Sequence, residues 1–339
     1  MLDPIVSARE AGLFYVSDDE PGIRRIKKGR GFAFVDPDGD FITDRKLKKE
    51  LQALGIPPAY NDVWICPHPH GHIQATARDV KGRKQYVYHP DWLAFRKQKK
   101  FEKVITFGEA LPQLRARVKD DLRRKTLSRD KVIATAVRLM DQTLIRVGNE
   151  QYTRSNGSFG LTTLQDDHVQ FDGSKVRIEF MGKSSKERCI ELDDPRLARL
   201  IRMCRDVPGE QLFQYYDEDG EHYGIHSDDI NTYLKTTTGG DFSAKDFRTW
   251  GGTVAAAGCA LGISAEDHPG SKRLGAVIAC VADKLGNTKA VCRAHYIHPR
   301  ILDAYETGEL DAGWPDLIAE DPTPGLTAEE HATLRFLQS

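Results

Sequence analysis

Metal-free chemistry at a phosphodiester needs cationic donors for the charge that develops on the phosphate oxygens, a nucleophile, and an acid for the leaving oxygen. The second half of this 339-residue chain holds all three kinds of residue: Arg146, Lys183, Arg248, and Asn287 followed by Tyr296. Each also has an ordinary reading. An arginine on a polar helix face is usually solvated, a loop lysine usually serves solubility, and arginines at helix starts are common. The spacing of Asn287 and Tyr296 sets a geometric condition. On one continuous helix, nine residues turn through about 900° and put the two on opposite sides. If Gly286 ends one helix and Thr288 caps the next, the side chains can converge.

The elements that must position these residues are readable from periodicity and caps. Ser128 is a candidate cap for a helix with Ile133, Val137, Met140, Leu144 and Val147 on its apolar stripe, which turns Arg146 away from the core. Val176, Ile178 and Phe180 alternate as a strand, and Gly182 to Lys186 forms the loop to a second strand at Cys189 to Leu192. Lys183 therefore belongs to a hairpin. Gly182-Lys183-Ser184 ends like a nucleotide-binding loop, but Arg177 stands where the leading glycine is needed, so no nucleotide site is expected. Ser243 starts a helix with Phe247, Trp250, Val254 and Leu261 inward and Arg248 outward. Further helices are predicted at 194 to 206, 227 to 236, 265 to 284, 289 to 297 and 299 to 307.

Residues 11 to 88 read as short strands at Leu13 to Val16, Gly31 to Val35, Val63 to Cys66, His72 to Ala77 and Gln85 to Tyr88, with a Thr43-capped helix between them. The class is α+β: a small β-rich N-terminal domain over 1–92 and a larger, mainly helical domain over 93–339 with a small β-hairpin.

Composition narrows the function. With 40% hydrophobic and 29% charged residues the chain is globular, and its longest nearly apolar stretch, Val254 to Ile263, is too short to span a bilayer. The N-terminus lacks the order of a secretory signal, and six cysteines without a Cys-x-x-Cys pair predict neither a disulfide framework nor a zinc ribbon. Reducing cytoplasm is the expected compartment. Cys66-Pro-His68-Pro-His70-Gly-His72 suits a hairpin turn better than a metal site, so no metal is expected. The net charge of −1 hides two opposed fields: Glu20 to Lys103 carries 18 basic against 10 acidic residues, whereas Ile301 onward carries 9 acidic and one Arg. A basic N-terminal half is the footprint of a phosphate-binding surface, or of solvated helix faces.

In this order, Arg146, a hairpin Lys183, Lys245-x-x-Arg248-Thr-x-Gly, Leu-Gly-Asn287 and Tyr296 resemble the active site of the poxvirus-like type IB DNA topoisomerases in their bacterial form. Gly82 to Tyr88 matches the segment with which that family contacts duplex DNA, and Tyr152 follows the Arg146 motif at the family's spacing. The resemblance implies the tyrosine recombinase and type IB topoisomerase kind of fold, a nucleoid-associated monomer, and duplex DNA as partner, with no nucleotide, cofactor or membrane. It implies that Tyr296 attacks a backbone phosphorus, forms a 3′-phosphotyrosyl link and expels a 5′-hydroxyl. Arg146 and Arg248 then clamp the non-bridging oxygens, Asn287 donates a further hydrogen bond, and Lys183 is the general acid, with Lys245 a weaker candidate for the same relay. Lys81, Arg83, Lys84, Gln85, Tyr86, Tyr88, Tyr152 and Lys245 are the implied DNA contacts. Asn287 departs from the family, in which most members have histidine there.

Two alternatives remain at this level. Tyrosine recombinases share the arginines, the hairpin lysine and the tyrosine, but their second arginine motif generally reads His-x-x-Arg where this chain has Lys245. A DNA-binding protein without catalysis is the third reading; for it, Tyr296→Phe changes nothing.

Overall fold

The computed structural model describes residues 3–263 and 272–339. It divides into two compact units, 1–102 and 103–339.

The first unit opens with a short helix α1 (Pro4–Glu10), capped by the Asp3 side chain on the Ile5 N–H. It continues through β1 (Ile23–Lys28), β2 (Gly31–Val35), α2 (Arg45–Ala53), β3 (Asn61–Ile65), β4 (Ile73–Arg78) and β5 (Lys84–Tyr88). The strands form one antiparallel sheet in the order β2-β1-β3-β4-β5. One face buries Ile23, Phe34, Val63, Ile65, Ala75 and Ala77 against Leu51 of α2. Two expectations change here. Leu13 to Val16 makes only a single bridge, Phe14 to Gly71, because its hydrogen bonds go to the 70–72 turn. The strand β1, which holds Arg24, Arg25, Lys27 and Lys28 and is turned into β2 at Gly29, is additional to the strands read from the sequence. The cap of α2 is Asp44, whose carboxylate accepts from the Lys46 and Leu47 N–H groups, not Thr43.

The long helix α3 (Pro90–Asp121) contains the division between the two units. After it come α4 (Arg129–Thr143), α5 (Glu150–Asn156), β6 (Val169–Asp172), β7 (Lys175–Gly182), β8 (Lys186–Asp193), α6 (Pro195–Arg205), the two-stranded pair β9 (Gln214–Tyr216) and β10 (His222–Gly224), α7 (Ser227–Thr238), α8 (Ala244–Gly262), α9 (Lys272–Leu285), α10 (Lys289–His295), α11 (Pro299–Thr307), α12 (Glu309–Ala319) and α13 (Ala328–Gln338). The core joins Phe107, Leu111 and Leu114 of α3, Ile133, Val137 and Met140 of α4, and Phe247 and Trp250 of α8. The sheet β6-β7-β8 buries Val176, Ile178, Phe180 and Ile190 on one face, as the period of two requires. At the end of the chain, α13 is held by a buried ion cluster in which Arg115 bridges Asp141 and Glu330. The first part of the helix predicted at 265 to 284 lies outside the described residues.

Cys259 of α8 and Cys280 of α9 form a disulfide. This single bond departs from the expectation of no disulfide framework: its partners lie on two helices packed against each other, a proximity that cysteine spacing does not reveal. Among the described residues, no helix is long and apolar enough to cross a membrane.

Candidate active site

Arg248 is the centre of the site, and it is buried at 4% exposure where the helical pattern predicts an outward side chain. It lies in the first turns of α8, whose start is braced by Asp246 accepting from the Ser243 N–H and hydroxyl. The side chain is drawn inward because two backbone carbonyls wait for it. Nη1 donates to Leu144 O, and Nη2 donates to Leu285 O at 2.9 Å. One guanidinium thereby ties the loop after α4 to the end of α9. Its Nε is buried and has no hydrogen-bond partner among the described residues.

Arg146 is not on a helix. The apolar stripe of α4 runs past the true helix end, because Leu144 adopts a left-handed conformation (φ 54°) that stops the helix at Thr143. Its side chain fills the space beside Gly251 of α8, where a Cβ would lie 2.5 Å from Leu144 Cδ2. The loop is then pinned by Leu161 N–H to Arg146 O and Thr162 N–H to Val147 O, both 2.8 Å. Thus held, Arg146 donates through Nη2 to Asn287 Oδ1.

The geometric condition on Asn287 and Tyr296 is met. α9 ends at Leu285, Gly286 turns the chain at φ +59°, and the Thr288 hydroxyl caps α10 by accepting from the Val291 N–H. Asn287 Nδ2 is buried near the Cys292 thiol without an acceptor in hydrogen-bonding geometry. Tyr296 terminates α10 and is half-buried. Its ring centroid lies 5.1 Å from the Arg248 guanidinium carbon. That approach depends on Gly252, one turn beyond Arg248 on the same face of α8.

Electrostatically the site is cationic and unbalanced. Neither Arg146 nor Arg248 has a carboxylate partner among the described residues. Burial and then the repulsion of Arg146 lower the Arg248 pKa, with Tyr296 opposing the shift. Buried donors without acceptors are costly, and two of them, Arg248 Nε and Asn287 Nδ2, belong to the same cluster. Such an arrangement is built to receive an anion.

Lys183 is not part of this contact network. It stands exposed on the β7–β8 turn, whose Ser184 and Ser185 adopt positive φ, and makes no hydrogen bond or ion pair among the described residues. Lys245 is exposed one turn before Thr249, and Tyr152 is 54% exposed on α5. The sequence reading missed Arg188. It starts the second hairpin strand at Cys189, whereas β8 begins at Lys186 and pairs Arg188 with Phe180.

The family model described as "Eukaryotic DNA topoisomerase I, catalytic core" matches residues 89–309, and "Bacterial DNA topoisomerase IB, N-terminal domain" matches residues 31–79. The chain belongs to the type IB DNA topoisomerase family. Among its relatives, DNA topoisomerase 1B of Acanthamoeba polyphaga mimivirus is 29% identical over 294 residues, covering 84% of this chain and 88% of that protein. DNA topoisomerase 1B of Vaccinia virus (strain Copenhagen) is 23% identical over 214 residues, covering 59% and 67%.

For a type IB topoisomerase, the N-terminal residues expected to meet DNA are more engaged than the sequence suggests. Asp79 accepts from the Lys81 and Arg83 N–H groups, from the Arg83 guanidinium at 2.8 Å and from Gln85 at 3.1 Å, closing the 79–83 turn. Lys84 pairs with Asp18 at 2.6 Å and lies over the Tyr86 ring. Tyr86, 45% exposed, stacks on Tyr88 with centroids 5.7 Å apart. Lys81 is exposed without an ion pair among the described residues.

Proposed function

We propose that this topoisomerase relaxes supercoiled duplex DNA by cutting one strand through Tyr296, allowing rotation, and resealing it. The observation that carries the reading is the convergence of Arg146, Arg248, Asn287 and Tyr296, from three separate stretches of chain, around donors that have no acceptor among the described residues.

The Tyr296 oxygen attacks the phosphorus, a 3′-phosphotyrosyl bond forms and the 5′-oxygen leaves. Arg146 and Arg248 neutralise the charge developing on the non-bridging oxygens, and Asn287 Nδ2 donates to one of them. A preset donor of this kind is worth roughly 3 kcal/mol of barrier. Lys183, on a mobile kind of side chain at a hairpin tip, gives the proton to the leaving oxygen and takes it back on resealing. Since the phosphotyrosyl bond conserves the energy of the bond it replaces, resealing needs no nucleotide. The free 5′ end turns before reattack. The N-terminal sheet holds the duplex, with Lys81, Arg83 and Lys84 toward phosphates and Gln85 and Tyr86 toward base edges; Tyr88, Tyr152 and Lys245 add contacts. The two units act as the DNA-holding and catalytic parts of one monomer.

The test is relaxation of supercoiled plasmid in EDTA without nucleotide, with denaturing gels read for protein attached to the 3′ side of a nick. Wild type relaxes the plasmid and forms the adduct, whereas Tyr296→Phe does neither. An unrelaxed plasmid with wild type, or an undiminished adduct with the variant, overturns the proposal.

A further inference from the structure

The inward face of β8 carries a charge that no described residue neutralises. Arg188 lies two residues before Ile190 and opposite Phe180, on the face of the sheet that is otherwise apolar. Its stem crosses Gly182, where a Cβ would sit 3.0 Å from Arg188 Cγ. Its guanidinium lies flat against the turn before Asn287: a Cβ on Gly286 would fall 1.8 Å from Nη1 and 2.6 Å from Cζ. The side chain thus spans from the residue before Lys183 to the residue before Asn287.

The environment is hostile to such a group. Arg188 is half-buried, and it forms no hydrogen bond or ion pair with any described residue. Burial and the positive charge of Arg146 lower its pKa, and it in turn lowers that of Arg248. Three guanidiniums therefore converge without a carboxylate among the described residues. An arginine held this way costs stability unless an anion joins it. A surface role is excluded by its direction, and a packing role would be served by an apolar residue on that apolar face.

We propose that Arg188 is a third guanidinium of the phosphate site, binding the scissile phosphodiester from the Asn287 side and bridging it toward the Lys183 turn. This rests on the reading of Tyr296 as nucleophile and adds a residue to it. The guanidinium fork supplies donors, from the Asn287 side, to one of the two non-bridging oxygens that Arg146 and Arg248 also meet.

The experiment is single-turnover cleavage of a suicide duplex by wild type, Arg188→Met and Arg188→Gln, with melting curves for each. Two substrates are compared: one with an ordinary phosphodiester and one with an uncharged methylphosphonate at the cleaved position. If wild type forms no covalent adduct, the Tyr296 reading itself fails. If it does, both variants are expected to cleave the phosphodiester about 100-fold more slowly. On the methylphosphonate, the deficit is expected to shrink severalfold, because the charge that Arg188 meets is gone. Cleavage of the phosphodiester at the wild-type rate overturns the proposal. An equal deficit on both linkages also overturns it, since that is the signature of a merely structural side chain. If Arg188→Met does not fold, Arg188→Gln decides.

Discussion

The backbone of Tyr296 rests directly on Gly252: a Cβ at that position would lie 2.5 Å from the Tyr296 carbonyl oxygen and 3.2 Å from its Cβ. The contact is with backbone, which cannot swing aside, so Gly252→Ala must displace the end of α10. The expected result is loss of cleavage out of proportion to loss of stability, at least tenfold in rate for about 1–3 kcal/mol of destabilisation. Single-turnover cleavage beside a denaturant melt measures both. An alanine variant with the wild-type rate shows that Tyr296 tolerates the shift.

Asn287 offers a charge test. Its Oδ1 accepts from Arg146, while Nδ2 is an unused donor. Asn287→Ala removes the donor and is expected to slow cleavage by about 100-fold. Asn287→Asp keeps the acceptor for Arg146 and brings a carboxylate into the proposed phosphate site. It is expected to slow cleavage further while matching or exceeding the wild-type melting temperature, since it neutralises stranded positive charge. An aspartate variant as active as wild type would exclude the phosphate from this position.

The Cys259–Cys280 bond closes a loop of 21 residues in separation. Chain-entropy reasoning gives about 3 kcal/mol for such a closure. Adding a thiol reductant, or replacing both cysteines by serine, is expected to lower the melting temperature by several degrees. An unchanged melt under reduction means that the bond does not form in solution.

Glu330 sets an acid limit on the C-terminal helix. Burial pushes its carboxyl up, but hydrogen bonds and charge from Arg115, with the Thr327 and Trp250 N–H groups, outweigh burial and hold it below the usual carboxylate range. A folded-state value below the unfolded one, about 4.3, gives stability that is complete at neutral pH and lost as pH falls through the folded value. Melting temperature is therefore expected to drop below about pH 4. Glu330→Gln should lower stability at pH 7 by about 3 kcal/mol and flatten that acid slope. The pH series on both proteins checks it.

The N-terminal excess of basic residues predicts that DNA affinity falls steeply with salt, since each neutralised phosphate releases counterions. Lys81→Ala is expected to reduce the log-log slope by about one. A binding titration at several salt concentrations gives the slope; a flat response removes this surface from DNA binding.

Much of this was legible in the sequence where local rules suffice. α11 falls at 299–307 as predicted, and β2 at 31–35. The break at Gly286 followed from one angular argument about Asn287 and Tyr296. What failed were inferences that need tertiary partners. Arg248 reads as outward because the helical wheel cannot know of two carbonyls, on Leu144 and Leu285, that pull it in. Arg146 reads as helical because Leu144 continues the apolar pattern while its backbone has already turned left-handed. Arg188 was within reach, since the alternation that points Ile190 inward does the same two residues earlier. The strand was simply started too late. The helices α12 and α13 went unread because the acidic tail obscured their apolar positions, among them Leu310, Trp314, Phe336 and Leu337.

The two carbonyls bound by Arg248 belong to residues 104 and 37 positions away in the chain. No fragment ending before α9 can satisfy that guanidinium, and no early helical intermediate can hold it, because the closures it needs are the slow, long-range ones. On the proposed mechanism, competence to cut therefore requires both closures together, and a chain that has not made them is not expected to nick DNA.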